Sequence, residues 1–231
     1  MFPLGMNSTI ECALLDEGFA LVPAVLSASE TAELKARYQE DHLYRSTIDM
    51  APHHFGSGQY RYYGYQLPAA IQRLRQEWYA TLAPIANRWN EATRNKERYP
   101  AELDAYIAAC HVAGQKRPTP LILRYGAGDY NCMHQDVYGE LGFPFQLTIP
   151  LSIRDDDFEG GETVLLEQAP RMQARPTVLR PQVGDALIFP NRYRPHKGAC
   201  GKWVRYNVRH GVGTTTRGER YALGIIFHDA K

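Results

Sequence analysis

The chain has 231 residues, of which 44% are hydrophobic and 22% charged, and a formal net charge of +1; this balance is typical of a folded globular domain and excludes wholesale disorder. No apolar run approaches the roughly 18–20 residues of a membrane span, and the N-terminal residues lack the basic stretch and continuous apolar segment of a secretory signal. The four cysteines form no CxxC pair, which favours a reduced, cytoplasmic protein over a disulfide framework; they are Cys12, Cys110, Cys132 and Cys200.

The first 115 residues are predicted to be mainly helical. After a short strand-like run, GFALVPAVL, Ser27 and Glu30 have the spacing of a capping box at a helix start. Apolar residues three and four positions apart indicate a second helix in PAAIQRLRQEWYATLAPIANRWNEATR, with an interruption at Pro84. A third helix is predicted to begin at Pro100 and to end at Gly114, a typical C-cap residue.

From Thr119 onward the pattern changes to short apolar or alternating runs separated by Gly, Pro and Asp clusters. These runs are PLILRYG, FPFQLTIPLSI, ETVLLEQ, DALIFPN, WVRYNVRHGV and RYALGIIF. Several short strands after a helical front, without a βα rhythm, indicate an α+β fold. We therefore expect a single domain over residues 1–231, in which residues 1–115 are helical support and residues 119–230 form a double-stranded β-helix, or jelly roll.

Two metal-ligand residue types stand two positions apart in His134-Gln135-Asp136. On an extended chain such residues project to the same face, so the imidazole and the carboxylate can share one metal. His210, in a later strand-like segment, is a third candidate; two histidines and one carboxylate are the donor set of non-haem Fe(II) oxygenases. His196 competes with His210, but its Pro- and Gly-rich surroundings predict a turn. The alternative for the first pair is a surface loop without a metal.

Arg220 follows His210 by ten residues. If both lie on neighbouring strands of a jelly roll, a five-carbon dicarboxylate can chelate a metal with one end and meet Arg220 with the other. A guanidinium inside a barrel needs an anion, because an unpaired buried charge is costly. The alternative is a strand arginine that faces solvent or pairs with Glu219 or Asp229.

Further motifs accompany these residues in a fixed order over roughly residues 119–230. In full, the order is Tyr125-Gly126-x-Gly128-x-Tyr130, His134-x-Asp136, Asp157-Phe158-Glu159-Gly160-Gly161-Glu162-Thr163, Gly184-Asp185-Ala186-Leu187-Ile188-Phe189, His210-Gly211-Val212 and Gly218-x-Arg220. This arrangement resembles the Fe(II)/2-oxoglutarate-dependent dioxygenase superfamily, in its prolyl-hydroxylase-like branch. Within it, the chain is similar to bacterial oxygenases predicted to act on damaged nucleic acid.

The resemblance implies a cofactor and its ligands. Iron would be bound by His134, Asp136 and His210, and the distal carboxylate of 2-oxoglutarate by Arg220. Tyr125 matches a tyrosine that often hydrogen-bonds 2-oxoglutarate, and dioxygen would be the second co-substrate. No catalytic residue is expected beyond the metal centre.

One position departs from the branch. Many prolyl hydroxylases have a second tyrosine on the strand after the metal motif, whereas this chain reads QLTIPLS. Gln146 or Thr148 would then supply the second hydrogen bond to 2-oxoglutarate. Because Asp136 stands where a halogenase has Ala or Gly, a halide ligand is disfavoured.

The activity implied by the resemblance is hydroxylation of a C–H bond or oxidative removal of a methyl group. The substrate would be a nucleic-acid base, or alternatively a prolyl or other peptidyl side chain or a small molecule. A catalytically silent jelly-roll module that binds a metal is the alternative of another class. No membrane partner is expected.

Two groups of residues are candidates for substrate contact. Residues 171–231 contain 12 Lys or Arg but only 3 Asp or Glu, and Arg192 and Arg194 in this stretch could meet phosphates or lie on a solvated loop. Tyr63 and Tyr65, in the run GQYRYYGYQLP, could stack on a base or belong to a strand that covers the barrel. Other cations of the first group are Lys197, Lys202 and Arg205.

Overall fold

The computed structural model describes residues 4–136, 139–198 and 200–231 and shows an α+β fold. The helices in these ranges are α1 (Leu4–Asp16), α2 (Ala28–Ala36), α3 (Ala69–Ala92) and α4 (Leu103–Val112), with 3₁₀ turns at Arg37–Gln39, Asp41–Leu43 and Ala51–His53. No helix in these ranges has both the length and the apolar character needed to cross a bilayer.

The strands follow in chain order. Those before residue 119 are β1 (Ala20–Val22), β2 (Tyr44–Asp49), β3 (Gly56–Ser57) and β4 (Gln59–Tyr63). Those after it are β5 (Leu121–Tyr125), β6 (Tyr130–His134), β7 (Phe145–Pro150), β8 (Phe158–Gly160), β9 (Thr163–Gln168), β10 (Arg175–Leu179), β11 (Ala186–Pro190), β12 (Tyr193–Lys197), β13 (Trp203–Val212), β14 (Thr215–Gly218) and β15 (Arg220–Ile226).

Two larger sheets enclose the central cavity of the protein. One has the order β1-β11-β7-β15-β5-β4-β2, and the other has the order β10-β9-β13-β6-β3, with β12 paired to β13. The pairs are antiparallel and many join strands that are distant in the chain, as in a double-stranded β-helix. The predicted α+β jelly roll is confirmed, and each of the six apolar runs of the second half contains a strand.

Helix α3 braces the outer side of the seven-stranded sheet. Its Trp78 and Leu82 belong to one hydrophobic cluster with Leu223 and Ile225 of β15. Because strand side chains alternate, the intervening Gly224 lines the cavity on the other side of the sheet. The apolar face of α3 thus holds the strand that carries the cavity wall.

The predicted helix boundaries need two corrections. Helix α3 runs through Pro84 without a break; a proline in a helix costs about 3 kcal/mol, but the buried Leu82 and Ile85 on either side each contribute about 1.5–3 kcal/mol. Helix α4 begins at Leu103 and not at Pro100; the Pro100 carbonyl accepts a hydrogen bond from the Tyr79 hydroxyl (3.0 Å). The predicted capping box at the start of α2 is present.

The expectation of a mainly helical first half is wrong for residues 44–63. Strands β2 and β4 pair with each other, and β4 extends the seven-stranded sheet beside β5. Their residues are mostly polar or aromatic and half-buried, and the Arg61 guanidinium lies 4.9 Å from the Tyr44 ring centroid. A pattern of apolar alternation therefore did not reveal them.

A buried ion pair ties α3 to the end of the chain. The Arg75 guanidinium donates to the Asp229 carboxylate (2.7 Å) and to the Phe227 carbonyl (2.9 Å), and the two charged side chains are 2% and 0% exposed. The same carboxylate also contacts His111 (2.9 Å) and the hydroxyl of Tyr65. Asp229 therefore neutralises a cation that water cannot reach.

Replacing Asp229 by alanine should lower the free energy of unfolding by about 3–5 kcal/mol, because it leaves the buried Arg75 without its counter-charge. Urea unfolding followed by circular dichroism measures this change. Glu11→Ala, which breaks the more exposed pair between Glu11 and Arg88 (2.6 Å), should cost less than about 1 kcal/mol. Equal losses in the two variants would contradict the argument.

Burial also makes stability depend on pH through His228. Burial lowers the pKa of this imidazole from 6.5 to about 4, and its Nδ1 accepts from the Phe143 amide (3.1 Å). Below pH 6.5 the unfolded chain binds a proton on this imidazole, but the folded chain does not. The free energy of unfolding therefore falls as the pH drops towards 4, by about 3 kcal/mol in total. In His228→Asn this part of the pH dependence should disappear from urea unfolding measured between pH 7 and 4.

Candidate metal centre

The register of two neighbouring strands brings the two candidate histidines together. His134 ends β6 and pairs directly with His210 of β13, and their ring centroids are 4.2 Å apart. The register shifts between His210 and Val212, a β-bulge of the kind that re-aims side chains beside functional sites. Asp136 follows two residues after His134, so all three side chains converge.

The donor atoms form a cluster of metal size. The Asp136 carboxylate lies 3.5 Å from Nε2 of His134 and 3.2 Å from Nε2 of His210, and one donor atom from each residue fits within 4.8 Å of the others. Nδ1 of His134 is 2.8 Å from the Cys132 carbonyl, and because a carbonyl can only accept, this nitrogen carries the proton. The Nε2 lone pair therefore faces the cluster, as a metal ligand requires.

The charges at the cluster also suit a cation. Burial alone would raise the pKa of Asp136, but the neighbouring imidazoles of His210 and His134 outweigh it and hold this pKa well below its ordinary value. Burial and the neighbouring His134 lower the pKa of His210. An ionised Asp136 carboxylate and a neutral His210 imidazole are the protonation states in which these groups bind metals. The pKa of His134 is raised instead, because its contacts with Asp136 and the Cys132 carbonyl outweigh the effect of burial.

A cavity of about 180 Å³ opens beside the cluster, and Arg220 and Tyr125 line it. The Arg220 guanidinium lies 5.4 Å from the centre of the Tyr125 ring and donates to the Thr163 hydroxyl (3.3 Å). The Tyr125 hydroxyl accepts from the amide of Asn131 (3.2 Å). Burial raises the pKa of Tyr125 to about 12, so its proton remains available for donation to a ligand.

Arg220 is only 4% exposed, yet no carboxylate of the described residues lies within 4.0 Å of it. Both partners considered from the sequence are engaged elsewhere: Glu219 pairs with Arg124 (3.0 Å) and Asp229 with Arg75. The inner end of the cavity thus holds a buried cation that lacks an anion.

The chain turns tightly next to this arginine. Gly160 and Gly161 have φ of +70° and +59°, a region that residues with a Cβ rarely adopt. A Cβ on Gly161 would lie 2.9 Å from Cδ of Arg220. The Gly160-Gly161 pair therefore forms a tight turn beside the site, at a position where a side chain would clash.

Gln146 and Thr148 both lie on β7 and line the cavity. The Gln146 side-chain amide is 3.0 Å from Nε2 of His210, beside the metal cluster. Thr148 lies one strand away from Arg220, on β7, which pairs with β15. The structure therefore brings both candidates for the second hydrogen bond to the cavity.

Two of the tyrosines predicted to contact substrate lie elsewhere. Tyr63 is fully buried in the hydrophobic core, with its ring 4.8 Å from that of Tyr44. Tyr65 is half exposed and binds Asp229 through its hydroxyl. The prediction is wrong for the buried Tyr63, and Tyr65 is not among the residues that line the cavity; the face of β4 that meets the cavity carries Tyr60 and Tyr62 instead.

The two predicted arginines also differ from each other. Arg194 is 2% exposed and makes a two-pronged ion pair with Glu167 (2.5 and 2.7 Å), so the prediction that it meets substrate is wrong. Arg192 is exposed, and its guanidinium stacks over the Tyr193 ring at 4.8 Å. It borders a second cavity whose wall includes Asp136.

His196 lies on strand β12 and not in the predicted turn. It pairs with Val204 and its ring stacks on that of Tyr206 (4.4 Å). It is absent from the metal-sized group among the described residues. The choice of His210 over His196 therefore agrees with the geometry, although the reason given for it, a turn, was wrong.

Cavity residues that were not selected from the sequence include Asn131, Thr163, Tyr60 and Tyr62. The two tyrosines lie directly opposite Leu123 and Leu121 of β5, which share the face of Tyr125. Because side chains alternate along a strand, the two tyrosines could have been selected as neighbours of Tyr125. That selection needs the pairing of β4 with β5, which the sequence does not give.

Known proteins resemble this chain over most of its length. Residues 58–230 match the family model Oxygenase-NA, described as "Oxygenase, catalysing oxidative methylation of damaged DNA". An uncharacterized protein of Mycobacterium tuberculosis (strains CDC 1551 / Oshkosh and ATCC 25618 / H37Rv) is 46% identical over 164 residues, which are 71% of this chain and 70% of the relative.

Solved structures share the fold at low identity. An oxidoreductase of the 2OG-Fe(II) oxygenase family from Burkholderia pseudomallei has a TM-score of 0.55 at 17% identity, covering 100% of this chain and 95% of that one. A prolyl hydroxylase from Trichoplax adhaerens, in complex with a hypoxia inducible factor oxygen degradation domain peptide fragment, has a TM-score of 0.59 at 16% identity, covering 97% and 90%.

Removal of one clustered imidazole should weaken metal binding. His134→Ala and His210→Ala should each lower the affinity for Co(II) by roughly 100-fold or more, since loss of a mere supporting contact already costs 10–100-fold. Isothermal titration of the full chain with Co(II) measures this loss. His196→Ala should bind Co(II) as the wild type does; a comparable loss in that variant, or wild-type affinity in His210→Ala, would refute the cluster.

Proposed function

Since the chain belongs to the Oxygenase-NA family and has the double-stranded β-helix of 2-oxoglutarate- and Fe(II)-dependent oxygenases, we propose that it oxidises a C–H bond of a modified nucleic-acid base with Fe(II), 2-oxoglutarate and dioxygen. The family and fold predicted from the motifs are thereby confirmed, and the chain is an oxidoreductase of the oxygenase class. One observation carries the cofactor proposal: a three-donor cluster and a buried arginine without a carboxylate line the same cavity.

The donor set fits ferrous iron. His134, Asp136 and His210 provide two imidazole nitrogens and one carboxylate, the combination that binds non-haem Fe(II) on one face and leaves the other positions open. The hydrogen bond from His134 to the Cys132 carbonyl orients the ring towards the ion. Phe189 packs against His210 with 4.9 Å between ring centroids, which limits rotation of the second imidazole.

The inner end of the cavity fits the far carboxylate of 2-oxoglutarate. Arg220 would pair with this carboxylate, while the Tyr125 and Thr163 hydroxyls would hydrogen-bond it. Gln146 or Thr148 would provide a further polar contact along the chain of the co-substrate. The buried charge of Arg220 would then have the anion that the described residues do not provide.

In the reaction, the bound iron and 2-oxoglutarate would supply the oxidation: one atom of O₂ enters the C–H bond as a hydroxyl group, the other enters succinate, and CO₂ is released. The three ligands hold the reactive centre at a fixed point of the cavity. Apolar side chains such as Leu121, Leu123 and Ile226 line the walls and exclude water from competing reactions. The chain thus contributes binding, orientation and exclusion.

The family description supports a nucleic-acid substrate, whereas the prolyl hydroxylase above shares only the fold, at 16% identity. A prolyl, peptidyl or small-molecule substrate is therefore the second candidate. We further propose that residues 1–231 act as one domain in the reducing cytoplasm, which the free thiols of all four cysteines support.

Succinate formation tests the proposal. The full chain is incubated with Fe(II) and labelled 2-oxoglutarate, alone or with a single-stranded oligonucleotide containing N-methylated bases or a proline-containing peptide. We expect slow uncoupled succinate formation without substrate and stimulation by the oligonucleotide, with formaldehyde release. Stimulation by the peptide alone would select the second candidate, and no succinate under any condition would favour a silent metal-binding module.

Arg220→Met should raise the KM for 2-oxoglutarate by about 100-fold, because a charged hydrogen bond contributes about 1.5–3 kcal/mol and its loss leaves a carboxylate unpaired. The measurement is the rate of succinate formation against the concentration of 2-oxoglutarate. Arg124→Met is the matched control, since Arg124 lies opposite Tyr221 on the adjacent strand and binds Glu219 at the surface. A KM unchanged in Arg220→Met would refute the assignment.

A further inference from the structure

The β12–β13 hairpin has two faces of opposite character. Residues that pair directly across the hairpin share a face: Tyr193 with Asn207 and Lys197 with Trp203. By strand alternation, Arg205 and Arg209 lie on this face too. Lys197, Trp203, Arg205 and Arg209 are exposed. We call this side the outer face.

The cations of the outer face lack counter-charges. Among the described residues, no carboxylate lies within 4.0 Å of any of five cations on or beside this face. They are Arg192, Lys197, Lys202, Arg205 and Arg209, and all five are exposed. The face is therefore strongly positive.

The inner face of the same hairpin shows the contrast. There Arg194 is buried and satisfied by the Glu167 carboxylate and the Leu15 carbonyl. His196 stacks on Tyr206 on this side. The inner arginine of the hairpin is thus neutralised by carboxylate and carbonyl oxygens, whereas the outer cations have no such partners. The positive charge of the outer face is therefore available to bind an external anion.

Two aromatic rings accompany the outer cations. Tyr193 and Trp203 are 37% and 40% exposed, although large aromatic side chains gain free energy when they are covered. Unpaired cations interleaved with exposed rings match single-stranded nucleic acid, whose phosphates bind the cations and whose unstacked bases cover the rings. A duplex keeps its bases stacked inside and would leave the rings unused.

The outer face is joined to the metal cluster by Gln135, the residue between two of the proposed ligands. Its side-chain amide contacts the Arg192 carbonyl (3.1 Å), the Val208 carbonyl (2.7 Å) and Oδ1 of Asn207 (2.7 Å). Arg205 and Arg192 also line the second cavity, whose wall includes the proposed ligand Asp136. A chain bound at Arg205 would therefore have its neighbouring nucleotides within reach of the metal.

We propose that the outer face of the β12–β13 hairpin binds the sugar-phosphate backbone of single-stranded nucleic acid that flanks the target base. This inference rests on the proposed function and deepens it, since it assigns the strand to one surface. Five cations on a single strand give a slope of about −3.5 for log affinity against log salt, at about 0.7 per phosphate.

Fluorescence anisotropy of the full chain with a fluorescein-labelled oligo(dT), without Fe(II) or 2-oxoglutarate, tests the surface. Between 50 and 200 mM KCl, affinity should fall by about 100-fold. Arg205→Ala with Arg209→Ala should weaken binding and reduce the slope by about 1.4. Trp203→Ala should weaken binding roughly tenfold and leave the slope unchanged, since it removes stacking only.

Arg88→Ala with Arg217→Ala is the matched control, because it removes two exposed arginines that are paired, with Glu11 (2.6 Å) and Glu159 (2.8 Å). This control should keep the wild-type slope, and circular dichroism should show all variants folded. Equal or tighter binding of a duplex of the same length, wild-type binding by the outer-face variant, or equal competition by polyglutamate would overturn the inference. Binding is measured without turnover, so its failure leaves succinate formation, and hence the oxygenase proposal, separately testable.

Discussion

The antiparallel register between β6 and β13 is the constraint on which the candidate site depends. It sets His134 opposite His210. Strand pairing alone therefore brings together two imidazoles from distant parts of the chain. A slip of one residue would turn one ring to the other side of the sheet. Asp136 then needs only to follow β6 by two residues, and β15 brings Arg220 to the same cavity.

The protein treats its buried arginines in two ways. Arg75 and Arg194 each have a carboxylate partner, Asp229 and Glu167, and these pairs join helix to chain end and strand to strand. Arg220 is buried to a similar degree, but its contacts among the described residues are a hydroxyl and an aromatic ring rather than a carboxylate. Burial of an unpaired charge is unfavourable by several kcal/mol, and a bound dicarboxylate would recover this free energy. Under the proposed function, part of the affinity for 2-oxoglutarate would therefore come from relief of this unpaired charge.

The sequence allowed prediction of the elements whose physics is local. Six strands of the second half lie in apolar or alternating runs. Residue type, spacing and the family resemblance placed His134, Asp136, His210 and Arg220 in one hypothesis, and the structure brings them to one cavity. Prediction failed for β2 and β4, whose residues are mostly polar or aromatic and half-buried, because such strands lack apolar alternation and form through tertiary pairing. The side of β4 that meets the cavity depends on its pairing with β5, which is why Tyr63 was the wrong choice.

The contacts of Gln135 change how the ligand motif is understood. In a His-x-Asp pattern the middle position is written as one that any residue can occupy. Here its side-chain amide contacts two oxygen atoms of β13 and one of Arg192, just before β12. These contacts attach the segment that carries Asp136 to the neighbouring hairpin. Replacing this glutamine would therefore loosen the attachment of Asp136 to the hairpin even where both proposed ligands are kept.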